Sequence, residues 1–271
     1  MRSKTDIPYS AEISSITKSE MIAKEITNID AVEWWMAGGL EMRYKSLTTL
    51  TTKICKEEKI KNILELAAGV LPRGITMSDD PTITYIETDL PEMIEEKQRV
   101  ISHLGIHSRP NLLLHPLNVL DEKAMGDIVD LFPKGPICII NEGLLSYFSK
   151  EEKTRVAKNV IANIRLHGGV WITPDIAGSD RIQEIAKLYP EIESVLNDIF
   201  KLTKRDMRVN NFGTLEEMKK FYSDIGFSIT EYSQKDLIPS TSIGRQLAPS
   251  DMSKKQLLDA LINSYKIWVL R

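Results

Sequence analysis

Cysteine is scarce in this 271-residue chain, and its two copies, Cys55 and Cys138, stand far apart, so neither a disulfide framework nor a zinc site is indicated and no metal is expected. Cys138 falls in the apolar run PICII and reads as a small core residue. Basic excess is absent as well. With a formal charge of -3 the chain lacks the lysine- and arginine-rich surface on which nucleic-acid binding rests, so no nucleic-acid partner is expected. No segment approaches the ~20 apolar residues of a membrane span, and the start MRSKTDIPYSAEISSIT has no hydrophobic signal segment. A cytoplasmic location without membrane contact is the expectation. Internal repeats are not visible.

What remains is an ordinary globular composition, long enough for one substantial core with an added lid. Residues 1–11 read as a loose arm. From Ile13 to about Cys55 the apolar spacing is helical and includes Trp34 and Trp35, with a break expected at Gly38 and Gly39. Short apolar runs then recur at 62–66, 83–88, 111–115, 137–141 and 169–174, separated by PEMIEEKQRVISHLG, DEKAMGDIVDLF and SKEEKTRVAKNVIANIRLHGG. Strand–helix alternation of this kind gives a parallel sheet, because a parallel neighbour needs a crossover and the helix supplies it. Ser149 with Glu151 and Glu152 marks a helix start, and Gly168–Gly169 its end. A helical stretch at about 180–205 reads as an insertion. After it come a helix capped by Thr214, a strand FSITEYS, a helix KKQLLDALINSY and a last strand KIWVLR.

The stretch NILELAAGVLPRG, residues 62–74, is a buried strand running into a turn of small residues. In open α/β sheets the first strand–turn–helix is the usual ligand seat, where backbone N–H groups meet the bound molecule. AAGVLPRG does not give the three-glycine spacing that a pyrophosphate needs, and Pro72 and Arg73 fall where the helix should begin. Asp89 follows Gly69 by 20 residues, the interval at which a ribose-binding carboxylate sits; before Pro91 it also suits a helix start. An adenosine with free hydroxyls and no pyrophosphate describes S-adenosyl-L-methionine.

ELAAGVLPRG, YIETDLPEMIEEKQ and INEGLLSYFSKEE, in that order, resemble the motifs of the leucine carboxyl methyltransferases and the related polyketide-type O-methyltransferases over about residues 40–175. The resemblance implies a seven-stranded Rossmann-like class I methyltransferase sheet of the α/β class, with helices on both faces, an N-terminal helical cap and a helical insertion after strand 5. Within a single domain it implies a cap at 1–58, a cofactor-binding core at 59–177, a lid at 178–213 and the rest of the sheet at 214–271.

The cofactor implied is S-adenosyl-L-methionine, with S-adenosyl-L-homocysteine as product. By resemblance, Ala67 and Gly69 allow close backbone approach, Asp89 and Leu90 hold the ribose side, and Asn118 and Val119 stand where adenine is held. Ala67 replaces the family's first glycine, which narrows the allowed backbone. Asn118 reads equally as a turn residue. Glu142, beside Gly143 at the end of an apolar strand, needs a partner, which the cofactor's ammonium would supply in place of a lysine. Arg43, with Lys45 as fallback, offers a cation for the cofactor's carboxylate; Arg73 either reinforces that site or covers the strand ends. Tyr147 closes the pocket.

The expected reaction is O-methylation of a carboxylate or hydroxyl on a small molecule or a protein C-terminus. A carboxylate nucleophile needs no base; for a phenol or alcohol, Asp175 is the better-placed candidate. His103, His107 and His167 read as structural, while His115 ends the third strand with access to the pocket. Tyr189, Phe200 and Phe212 are lid aromatics, with core packing the simpler reading for Trp34, Trp35 and Phe200. The alternatives are a non-catalytic S-adenosylmethionine-binding protein of the same fold and another Rossmann nucleotide-dependent enzyme.

Overall fold

A computed structural model of the chain describes residues 5–17, 29–106, 109–176, 178, 191–238, 242 and 265–271. Seven strands form one sheet: β1 (Asn62–Leu66), β2 (Thr84–Asp89), β3 (Leu112–Pro116), β4 (Ile137–Asn141), β5 (Gly169–Thr173), β6 (Ile229–Ser233) and β7 (Lys266–Leu270). Their order is β3-β2-β1-β4-β5-β7-β6. The first five are parallel, and β7 runs antiparallel to both β5 and β6.

Alternation along each strand divides the core. Leu64, Ile139, Trp171 and Trp268 join one apolar cluster, whereas Ile63, Cys138, Val170 and Ile267 join the other, on the opposite face. Both faces being covered, β1 and β4 are buried at every position, Asn62 and Glu65 of β1 and Asn141 of β4 included. Gly169 begins β5 at φ 122°, where an added Cβ would lie 1.9 Å from the Ile137 carbonyl oxygen; only glycine lets β5 approach β4 there.

The N-terminal region departs from its expected form in two ways. The supposed loose arm is packed at its end: Ile7 is buried, and α1 (Ser10–Ile16) begins within it, three residues before the helical pattern expected from Ile13, with the Ile16 carbonyl accepting from Arg99. The expected break at Gly38–Gly39 does not occur: α2 runs unbroken from Ile29 to Glu57. Two interior glycines cost a helix about 1 kcal/mol each. Burial of Met42, Leu47, Leu50 and Ile54 along one stripe, at roughly 1.5–3 kcal/mol per side chain, outweighs that cost.

Further helices are α3 (Arg73–Met77), α4 (Pro91–His103), α5 (Glu122–Val129), α6 (Lys150–His167), α7 (Glu191–Thr203), α8 (Met207–Asn210), α9 (Leu215–Ile225) and α10 (Gln234–Leu237). The Ser149 side chain accepts from the Glu152 N–H and Glu152 accepts back from Ser149, a complete capping box. Thr214 caps α9 through the Glu217 N–H. The side chains of Trp34 and Trp35, together with Tyr189, His107 and KKQLLDALINSY except Tyr265, lie outside the described residues.

Two of the three aromatics of the supposed lid exchange roles. Phe212 is buried in the core, its ring centroid 4.9 Å from that of Phe221, while Phe200 on α7 is 41% exposed.

Candidate active site

Register sets the site. Leu66 lies opposite both Thr88 and Asn141, so Ala67, Asp89 and Glu142 leave the sheet side by side at its carboxyl edge. The turn after β1 passes through left-handed backbone at Ala67 (φ 52°) and Gly69 (φ 54°). Alanine adopts that conformation at a cost of about 1 kcal/mol, which glycine would not incur.

Asp89 closes this turn from β2. Its Oδ2 accepts from the Gly69 N–H at 2.7 Å and its Oδ1 from the Leu90 N–H at 2.7 Å, leaving each oxygen a second lone pair. The space beside Gly69 is open, with nothing within 4 Å of where a Cβ would stand, and the Leu90 side chain beyond it is 55% exposed. Asn118 takes the turn role: its Oδ1 accepts from the Leu120 N–H at 3.1 Å. The Val119 side chain is buried in the core, and its carbonyl accepts from Asn159 at 3.0 Å.

Glu142 follows β4, and here the structure corrects the sequence reading. Its carboxylate already has partners within the chain, and they are arginines: Nη2 of Arg73 at 2.5 Å and Nε of Arg43 at 3.4 Å. Arg73 is 0% exposed and also bonds Glu65, so it cannot touch a cofactor and its direct binding role is withdrawn. Arg43, on α2, is half-buried. Burial alone would lower its pKa, but Glu142 and Asp175 outweigh that and hold it above its ordinary value. Among the described residues its terminal nitrogens make no hydrogen bond, and Nη2 lies 3.5 Å from where a Cβ on Gly143 (φ 74°) would stand. Lys45 instead pairs with buried Glu41 and with Asp6.

Asp175 does not stand free to move a proton. Its carboxylate accepts from Asn141 Nδ2 and from the Gly143 and Leu144 N–H groups, each at 2.7 Å, and from the Leu145 N–H at 2.9 Å. Asn141 is in turn fixed by Trp171 Nε1 at 2.7 Å. The task this geometry gives Asp175 is to hold the turn after β4. Tyr147 ends the short 3₁₀ segment Leu145–Tyr147 on that turn and is half-buried; burial, opposed by Arg43, pushes its phenol pKa up, so it is a hydrogen-bond donor at neutral pH. His115 is half-buried on β3 opposite Thr88.

Sequence reasoning missed two groups. One is the buried acids of β1 and β2: Glu65 accepts from Tyr85 at 2.6 Å, and Glu87 pairs with Lys97 and accepts from the Gly74 N–H at 3.0 Å. The need for a partner, argued for Glu142, applies equally to an acid inside NILEL. The other is Lys153 on α6, whose Nζ donates to the carbonyls of Phe148 at 2.7 Å and Asn210 at 2.5 Å. With Asn210 Nδ2 donating to the Tyr147 carbonyl at 2.9 Å, it ties this turn to α8.

Burial lowers the Lys153 pKa to about 8. The unfolded amine, near 10.4, therefore binds more protons than the folded one between about pH 8 and 10.4, and the contribution of this group to stability rises with pH across that window. Urea melts of wild type and Lys153→Met at several pH values should show a stability difference that shifts in favour of wild type from about pH 8 to 10; a constant difference would contradict the assignment.

The sheet order, with its antiparallel last strand, is that of the class I methyltransferase fold, whose members use S-adenosylmethionine as methyl donor. The turn fits that donor: among the described residues it offers open space over Gly69, further lone pairs on Asp89 and Arg43 terminal nitrogens without a hydrogen bond, all on one edge. The family model described as leucine carboxyl methyltransferase matches residues 14–161, more than half of the chain, and the chain belongs to that family.

Among solved structures, a SAM-dependent methyltransferase from Anabaena variabilis is 13% identical with a TM-score of 0.50, the match covering 82% of each chain. An O-methyltransferase family protein from Burkholderia thailandensis gives 13% and 0.46, over 83% of this chain and 57% of that one. Human N-acetylserotonin methyltransferase in complex with SAM gives 14% and 0.42, over 64% of this chain and 44% of that one. The chain thus spans about half the length of the latter two. No curated protein matches it in sequence. None of the described helices is long and apolar enough to cross a membrane.

Proposed function

We propose that the protein is an S-adenosylmethionine-dependent O-methyltransferase whose acceptor is a carboxylate of a small molecule or of a protein C-terminus. The observation that carries this reading is the convergence, on one sheet edge, of the Gly69 turn, the Asp89 carboxylate and Arg43. When bound, the donor supplies an electrophilic methyl group on a sulfonium. Arg43 would hold its carboxylate with the terminal nitrogens, and Glu142 would meet its ammonium with the lone pairs that the arginines leave over. Asp89, with Leu90 beside it, would accept the ribose hydroxyls, and the Asn118 amide nitrogen and the Val119 backbone would meet the edge of the adenine.

Alignment and exclusion of water carry the rate of such a displacement, since opposite charges are consumed in it. Tyr147, a neutral phenol, donates a hydrogen bond to the acceptor from the turn that Asp175 holds. Asp175, the side chain expected to move a proton, is thus otherwise engaged, which favours a carboxylate over a hydroxyl acceptor. The division into cap (1–58), core (59–177), lid (178–213) and remaining sheet (214–271) is part of the proposal, supported by Arg43 reaching the site from α2 and by the Lys153 tie to α8.

A labelled-methyl assay across carboxylic acids, C-terminal peptides and phenols tests the reading. The expected product is an ester, which releases its label as volatile methanol in mild alkali. Label stable to alkali would move the acceptor to a hydroxyl, and tight NAD binding without donor binding would overturn the class of reaction.

A further inference from the structure

We infer that Arg73 is a positioning residue for recognition of the donor's amino-acid end: it fixes the Glu142 carboxylate without touching the donor, an inference that rests on the donor reading above. Arg73 opens α3, immediately after the turn that follows β1, and its guanidinium is used on every side. Nη1 bonds Glu65 from β1, Nη2 bonds Glu142 at 2.5 Å beyond β4, and Nε donates to Thr48 Oγ1 of α2 at 3.0 Å. The Tyr44 ring, also on α2, lies with its centroid 4.8 Å from Cζ. The second oxygen of Glu65 accepts from Tyr85 at 2.6 Å, so the acid opposite Glu142 is itself anchored.

A planar fork with donors in three directions and a face for stacking is a task for arginine; an ammonium on a flexible stem cannot hold two carboxylates and a hydroxyl at once. Burial alone would lower the pKa of this guanidinium, but Glu65 and Glu142 more than reverse that and keep it charged. The position of the Glu142 carboxylate is therefore set from beneath the sheet edge. The donor-facing side is left to Arg43 and to the donor's ammonium.

The backbone around Arg73 is pinned as firmly. The Gly74 N–H donates to Glu87, a Cβ at Gly74 would stand 2.4 Å from that carboxylate, and Lys97 bonds both Glu87 and the Leu71 carbonyl. Small-residue turn, short helix and Glu142 are thus one assembly.

Two adenosyl compounds separate positioning from general support. S-adenosyl-L-homocysteine carries the amino-acid end; 5′-methylthioadenosine has the same nucleoside and thioether but no ammonium. Calorimetric titration of the full chain is compared for wild type, Arg73→Lys and the double variant Arg73→Met/Glu65→Gln. The double variant removes one charge of each sign and so avoids leaving an unpaired buried acid.

In either folded variant, affinity for S-adenosyl-L-homocysteine should fall about tenfold while that for 5′-methylthioadenosine stays within about twofold. Equal losses for both compounds, or no loss in a variant with a native near-UV circular dichroism spectrum, would overturn the inference and leave the donor reading intact. Failure of the wild type to bind either compound would overturn both.

Discussion

Replacing Asp175 with asparagine should destabilise the protein by about 2–4 kcal/mol and weaken donor binding with it. The four N–H groups that converge on this carboxylate come from Asn141, Gly143, Leu144 and Leu145. An amide presents one oxygen and two hydrogens, so at least one backbone donor of the turn would face another donor in a half-buried place. Since the same turn carries Gly143 and Tyr147 and follows Glu142, its relaxation reaches both the donor and acceptor sides. Urea denaturation gives the loss of stability and calorimetry the loss of affinity. A different pattern, with stability and donor affinity intact and kcat lowered by orders of magnitude, would return Asp175 to proton transfer.

Asp89→Ala should weaken donor binding by about 1.5–3 kcal/mol, roughly ten- to 150-fold. Two effects add: the ribose loses its charged acceptor, and the Gly69 N–H loses the carboxylate that draws the turn against β2. An unchanged affinity would move ribose recognition off this strand end. Glu87, the other acid of β2, cannot take it over, because it is fully buried and committed to Lys97 and Gly74.

Local chemistry made much of this fold legible. Ser149 and Thr214 are N-caps because their hydroxyls accept from backbone N–H groups three residues on, a relation contained within the segment. Strand–helix alternation gave the parallel strands, whereas the bond from the Gly69 N–H to Asp89 at 2.7 Å was not foreseen, the spacing of the two having been read for the ribose alone. Gly38 and Gly39 were misread because their cost is local while the compensating burial of α2 is tertiary.

The charge pairings were hidden for a related reason. Glu142 and Arg73 are 69 residues apart and meet only because β4 lies beside β1 in the sheet, an adjacency that no window of sequence contains. Phe200 and Phe212 were interchanged because ring size says nothing of which ring the α9 aromatics will cover.

Glu65, Arg73, Glu142 and Arg43 form a quartet whose formal charges cancel, two acids against two guanidinium groups. The amino-acid end of the proposed donor is a zwitterion and cancels likewise. Its arrival therefore leaves the electrostatic balance beneath the sheet edge unaltered, so affinity at this end should depend little on ionic strength. The sulfonium is then the one uncompensated charge brought to the site, and passage of its methyl group to an anionic acceptor extinguishes it.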